Sequence, residues 1–138
     1  MCIRDRCMIR HIPDLVAAGL SSLKIEGRIK SVFYVATVVR AYRMALDAYL
    51  QDPEAYVFSE EWFTELCKVS HREFTTGFYY GKPGSEGQNY ETSQYRRDTV
   101  FLGVILSYDE KTGMALVEQR NKMQEMCIRD RKSETRGF

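Results

Sequence analysis

The sequence predicts an α/β protein: a larger unit built of helix and strand, followed by the start of a smaller β unit. Three observations predict it: a helix-strand-helix pattern over residues 12–51, a second helical stretch from residue 59, and a change to β-rich runs from residue 99. The chain has 138 residues, 44% hydrophobic and 28% charged, which is globular composition and fits one ordinary domain or two truncated ones. No apolar run approaches the roughly 18–20 residues that a bilayer span needs. The 20 Lys+Arg nearly balance the 19 Asp+Glu, so no strongly basic nucleic-acid module is written here.

Each element has a local cause. Pro13 suits the first turn of a helix over residues 12–18, and Gly19 suits a left-handed cap at its end. Leu23 and Ile25 then alternate with Lys24 and Glu26 in the period of a strand over residues 21–26, which Gly27 breaks. Ser31 caps a helix whose apolar stripe runs Val32, Val35, Val38, Val39, Tyr42, Leu46 and Tyr49 until Asp52-Pro53 stops it. That helix is about 20 residues and about 30 Å long, enough to cover a strand of a parallel sheet or barrel. Ser59, followed by Glu60 and Glu61, opens the next helix, with Trp62, Phe63, Leu66 and Val69 on its buried face and Cys67 beside them as a small core residue. Gly81, Gly84 and Gly87, with Lys82-Pro83 between, mark a linker and not a phosphate loop, since no Lys-Ser or Lys-Thr follows. Residues 100–106 and 114–118 are strands around a turn at 109–113. Two strands cannot bury a core, so this β domain is cut short.

The hexamer Met1-Cys2-Ile3-Arg4-Asp5-Arg6 recurs unchanged at residues 126–131. Six residues is far below any structural repeat period, and both copies sit near the chain ends. The repeat has the character of translated sequencing-adapter read-through, to be set aside from fold reasoning. The expected organisation is therefore an artefact at 1–6, a first domain portion at 7–80, a linker at 81–98, a first β hairpin at 99–125 and an artefact tail at 126–138. Without the two end segments, 14 basic residues face 16 acidic ones and the formal charge moves from +1 to −2. Cys7 and Cys67 then remain, sixty residues apart and without a CxxC, which argues against a disulfide framework or a zinc site and for reduced, cytoplasmic thiols.

A parallel α/β layer gathers chemistry at the carboxyl ends of its strands, and residues 27–30 are such an end. With Leu23 and Ile25 packed outward on the helices, Lys24 and Glu26 face a barrel lumen and Arg28 follows at the rim. Such a set can bind an anion, orient a substrate or exchange protons, or it can be a structural ion pair. His71 is a candidate base and Arg72 a candidate phosphate or carboxylate ligand, while His11 reads as a surface residue. The aromatics Phe78, Tyr79, Tyr80, Tyr90 and Tyr95, interleaved with Lys82, Arg96 and Arg97, either stack nucleobases or form an interdomain seam.

Six ordered blocks carry a resemblance. They are Cys7-Met8-Ile9-Arg10-His11-Ile12-Pro13-Asp14-Leu15, then Leu23-Lys24-Ile25-Glu26-Gly27-Arg28-Ile29-Lys30-Ser31, then Tyr34-Val35-Ala36-Thr37-Val38-Val39. Ser70-His71-Arg72-Glu73 with Thr75-Thr76-Gly77-Phe78, Gln88-Asn89-Tyr90-Glu91 and Val117-Glu118-Gln119-Arg120-Asn121-Lys122 complete them. Together they resemble the collagenase-like peptidase family U32. The resemblance implies the last part of a TIM-barrel-like catalytic domain followed by the start of a small C-terminal β-barrel. It also implies a parent activity in 5-hydroxylation of the tRNA wobble uridine, associated with prephenate and an iron-sulfur cluster, or alternatively collagenase-like proteolysis. The partner is then tRNA or a protein substrate, with no membrane. The family's cysteine signature lies upstream of this segment, so no catalytic residue, cofactor ligand or metal ligand carries over, and the chain alone is expected to be inactive. Lys24, Glu26, Arg28, His71 and Arg72 remain as substrate-pocket candidates. A non-catalytic module docking RNA or a partner is the third alternative.

Overall fold

The computed structural model describes residues 4–84, 94–96 and 99–121. The hexamer residues 1–3 and 126–131, Gly87, Tyr90, Arg97, Lys122 and the block at 88–91 lie outside the described residues. The chain divides into two units, Met1–Thr99 and Val100–Phe138, with mixed helix and strand content.

The first unit opens with a short strand β1 (Asp5–Arg6) and a 3-10 turn at Ile9–His11 that runs into helix α1 (Ile12–Ala17). Pro13 occupies the first turn, as its fixed φ and missing N–H allow. The helix ends in a Schellman arrangement: the Gly19 amide donates to Val16 at 2.9 Å and the Leu20 amide to Leu15 at 3.4 Å. Gly19 sits at φ +73°, where a side chain would be strained.

Residues 22–27 form no strand, contrary to the alternation of Leu23 and Ile25 with Lys24 and Glu26. The pattern marks a surface that suits a sheet, but a ladder needs a second backbone, and none pairs with this segment among the described residues. Ile25 packs on the core, whereas Leu23, Lys24 and Glu26 are exposed.

Helix α2 (Val32–Gln51) begins at Ser31, whose Oγ accepts from the Tyr34 amide at 3.2 Å. Helix α3 (Glu60–Cys67) begins at Ser59, whose Oγ accepts from the Glu61 amide at 3.3 Å. The two helices pack through the small residues Ala41 and Ala45 of α2, which let the backbones approach, with Leu66 of α3 and Val69 filling the space beside them. Met8, Ile9, Ile12, Leu15 and Val38 complete the core. Full burial of Ile9 and Ile12 contributes roughly 1.5–3 kcal/mol each. The opposite side of α2 carries an open groove of about 570 Å³ lined by Lys30, Val32, Val35, Ala36, Val39, Arg40 and Arg43.

Strand β2 (Phe74–Thr75) pairs in parallel with β1, with Asp5 opposite Phe74 and Arg6 opposite Thr75. Within the stretch expected as a linker, Arg96 makes a two-way antiparallel bridge with His71, at 2.7 and 3.3 Å.

The second unit is a hairpin of β3 (Gly103–Asp109) and β4 (Met114–Gln119). Its first strand starts and ends later than the apolar run at 100–106 implies, because ladder pairing continues through Tyr108 and Asp109 to the turn, while the second starts at Met114 as expected and runs one residue further. Between Ile105 and Ser107 the register shifts, leaving Leu106 as the extra residue of a bulge. The Asp109 carboxylate accepts from the Lys111 amide and the Thr112 hydroxyl, both at 2.9 Å, which holds the turn and keeps this carboxyl below its ordinary range. Ile105, Leu106 and Tyr108 remain exposed, as a two-stranded unit requires.

Candidate functional site

The five pocket candidates fall into two places. Lys24, Glu26 and Arg28 are exposed on the irregular segment between α1 and α2. Glu26 accepts from the Arg28 amide at 3.0 Å, which curls the chain toward Gly27, whose carbonyl accepts from the Lys30 amide. No ion pair joins Lys24 to Glu26 among the described residues, so the structural pair that would neutralise both charges is not formed in this unit.

His71 and Arg72 follow α3. His71 is buried, with Nδ1 2.7 Å from the Val69 carbonyl and its ring stacked 4.7 Å from Phe74 at 7°. A carbonyl only accepts, so Nδ1 carries the proton and Nε2 is the basic atom. Arg72 donates from its backbone amide (2.9 Å) and its Nε (3.0 Å) to the two oxygens of Asp5. Its guanidinium also lies 5.1 Å from the ring centroid of Tyr95.

Lys30, which sequence reasoning placed in the strand-end loop without a role, joins this second place. Its ammonium lies 4.0 Å from the Tyr95 centroid and 5.1 Å from that of Tyr34, and it reaches the Ser70 carbonyl at 3.4 Å. Tyr95 was legible as an aromatic among cations, but the cations over its ring among the described residues are Lys30 and Arg72, not its sequence neighbour Arg96. The two come from 65 and 23 residues earlier in the chain, a pairing no local spacing encodes.

Two further clusters of titratable groups hold elements together. Tyr42 accepts from the Met8 amide at 2.8 Å and donates to Cys7 Sγ at 3.7 Å. Burial pushes both the Cys7 thiol and the Tyr42 hydroxyl up, which keeps Cys7 protonated and poorly nucleophilic. Tyr80 donates to Asp14 and lies 2.8 Å from His11 Nδ1; the Asp14 carboxylate pushes its hydroxyl up to about 12. His11 is thus engaged at the surface. Among the described residues no three of His, Cys, Asp and Glu converge as metal ligands, and no helix is long and apolar enough to cross a membrane.

The described residues of the first unit form a small α/β arrangement with a cationic loop and a cation-aromatic cluster. The sequence profile of peptidase family U32 matches residues 1–89, and the chain belongs to that family. It is 45% identical over 118 residues to tRNA hydroxylation protein P1 of Bacillus subtilis, covering 86% of this chain and 28% of that relative. It is 36% identical over 120 residues to tRNA hydroxylation protein P of Haemophilus influenzae, covering 86% and 25%. A collagenase of Porphyromonas gingivalis is 30% identical over 115 residues, covering 83% and 28%. The chain therefore spans about a quarter of the length of these relatives. No solved structure matches it.

Proposed function

We propose that this chain is part of a longer U32 protein that supports 5-hydroxylation of the wobble uridine of tRNA in the cytoplasm. The observation that carries the reading is its 45% identity over 118 residues to a tRNA hydroxylation protein, against 30% over 115 residues to a collagenase. In this reading residues 7–80 close a TIM-barrel-like domain, 81–98 link it to a small β-barrel that starts at 99–125, and the terminal hexamers are foreign.

Two features of the first unit support a barrel setting. Residues 21–26 have strand patterning without a ladder partner among the described residues, and α2 exposes Val32, Val35 and Val39 on its outer side. Neighbouring barrel elements would satisfy both. Lys24 and Glu26 then face the lumen with Arg28 at the rim, where Lys24 and Arg28 attract an anionic substrate and Glu26 accepts a hydrogen bond or a proton from it. His71 and Arg72 stand behind them.

An iron-sulfur cluster does not fit the described residues. Such clusters usually want four thiolates, whereas burial keeps Cys7 a thiol and no ligand set converges. In this reading the cluster's cysteine ligands come from other parts of the parent.

The test is complementation of a strain lacking the parent gene, with tRNA nucleosides read by mass spectrometry. Lys24→Ala and Arg28→Ala should reduce recovery of 5-hydroxyuridine derivatives at least tenfold, and Lys111→Ala should leave it unchanged. Full recovery by both pocket variants would remove those residues from the site. The collagenase relative favours a second reading, proteolysis, and gelatin cleavage by the purified parent without added cofactor would promote it.

A further inference from the structure

We infer that Lys30 and Arg72, held together across the ring of Tyr95, form a grip for a backbone phosphate of single-stranded RNA. The inference rests on the tRNA reading above and names a contact within it. Both cationic heads lie within 5.1 Å of one ring centroid, so two like charges converge on a single aromatic side chain. The ring's negative face offsets their repulsion and sets their positions before any ligand arrives. Only one of the two has a carboxylate: Arg72 is paired with Asp5, while Lys30 meets only a backbone carbonyl and aromatic rings among the described residues. Arg96, bridged to His71 beside Arg72, adds a third cation, and Glu73 is its carboxylate partner. Lys30 is therefore the cation of this set that no carboxylate pairs with among the described residues, and it leaves the cluster room for an anion.

In this chain the anion's place is taken by Asp5, a residue of the hexamer that the reading above counts as foreign to the parent. The two oxygens of Asp5 take the Arg72 backbone N–H and Nε–H together, the pattern in which a phosphate's paired oxygens would bind. A phosphodiester placed there can also draw the Lys30 ammonium, a compact charge on a flexible stem, off the ring and onto its second oxygen. The half-exposed Tyr95 face is then open to an unpaired base next to that phosphate. An aromatic flanked by cations suits a nucleic-acid strand better than an acidic peptide, which would gain from the charges but not from the ring. Asp5 competes for the same donors, so its removal should strengthen the grip.

The test is fluorescence anisotropy of a labelled ten-nucleotide oligouridylate with the full 138-residue chain, over a series of salt concentrations. Binding should weaken with salt. Lys30→Ala should weaken it about 5-fold or more and lower the slope of log affinity against log salt by about one, as loss of one phosphate contact does. Tyr95→Ala should weaken it about 5-fold or more, Tyr95→Phe should retain it, and Asp5→Ala should tighten it. Lys111→Ala should change neither affinity nor slope. Circular dichroism confirms that each variant keeps its helix content, and because Lys30 and Tyr95 lie outside helices and strands, the Lys30→Ala and Tyr95→Phe pair decides even if another variant unfolds. No oligouridylate binding, an unchanged slope for Lys30→Ala, or preference for a decaglutamate peptide would overturn the grip. Loss of the grip while tRNA hydroxylation still depends on the parent gene would refute this contact and leave the hydroxylation reading standing; intact RNA binding with unchanged tRNA in a deletion strain would do the reverse.

Discussion

The guanidinium of Arg10 meets the carboxylate of Glu60 through both terminal nitrogens, with Nη2 2.6 Å from Oε2, while lying 4.4 Å from the ring centroid of Phe63 and 4.9 Å from that of Phe58. It ties the turn before α1 to the first residue of α3, fifty residues on. Arg10→Ala removes the fork and the aromatic contact, whereas Arg10→Lys keeps charge but loses the plane. Both should lower the urea midpoint at pH 7, Ala more than Lys. Arg10 holds the Glu60 carboxyl below its ordinary 4.5, so this contribution is whole above about that pH and fades as pH falls through the depressed value. The difference between wild type and Arg10→Ala should therefore shrink in acid. A gap that stays constant from neutral pH to pH 3 would contradict the pairing.

Tyr42→Phe leaves the Met8 amide without its acceptor in a half-buried site, which costs about 1–3 kcal/mol. Urea unfolding should report that loss with little change in slope. Because burial raises the Cys7 thiol above its ordinary 9.0, its alkylation by iodoacetamide at pH 8 should be slower in the folded chain than in the urea-unfolded one, read peptide by peptide. Equal rates would place Cys7 in an open environment.

Ala45 is fully buried on the core side of α2. Ala45→Leu overpacks that core and should destabilise by about 1–3 kcal/mol. Val39→Ala, on the exposed side of the same helix, should stay within about 0.5 kcal/mol of wild type. Equal costs at the two positions would mean that the buried side of α2 is misassigned.

A Cβ at Gly103 would collide with the Glu118 carbonyl oxygen across the hairpin. Since that neighbour is backbone, Gly103→Ala must open the ladder at this end. Amide exchange at Arg120, which donates to Leu102 at 2.8 Å, should speed up at least tenfold. Unchanged protection would show that β3 and β4 tolerate a wider spacing there.

What was legible in the sequence was local. Ser31 and Ser59 cap the helices whose starts they mark, Pro13 and Gly19 bound α1, and the turn at 109–113 joins two antiparallel strands. These features depend on a few adjacent residues and elementary sterics. The strand over residues 21–26 failed because alternation describes a face, whereas a ladder requires a partner. The β1 and β2 pair escaped because β1 lies in the hexamer set aside from fold reasoning and β2, two residues long, is too short to show a period. Long-range chemistry escaped for a similar reason: nothing near Arg10 announces Glu60, and nothing near Lys30 announces Tyr95. Exposure of Lys24, Glu26 and Arg28 was likewise not legible, since period two says that side chains alternate and not what lies opposite.

The most direct measurement of the central claim is the content of 5-hydroxyuridine derivatives in tRNA from a strain with and without the parent gene, cultured identically. Deletion should abolish or sharply lower them and the intact gene should restore them; identical nucleoside profiles in both strains, with no second gene of the family present, would show that the parent does not support this hydroxylation.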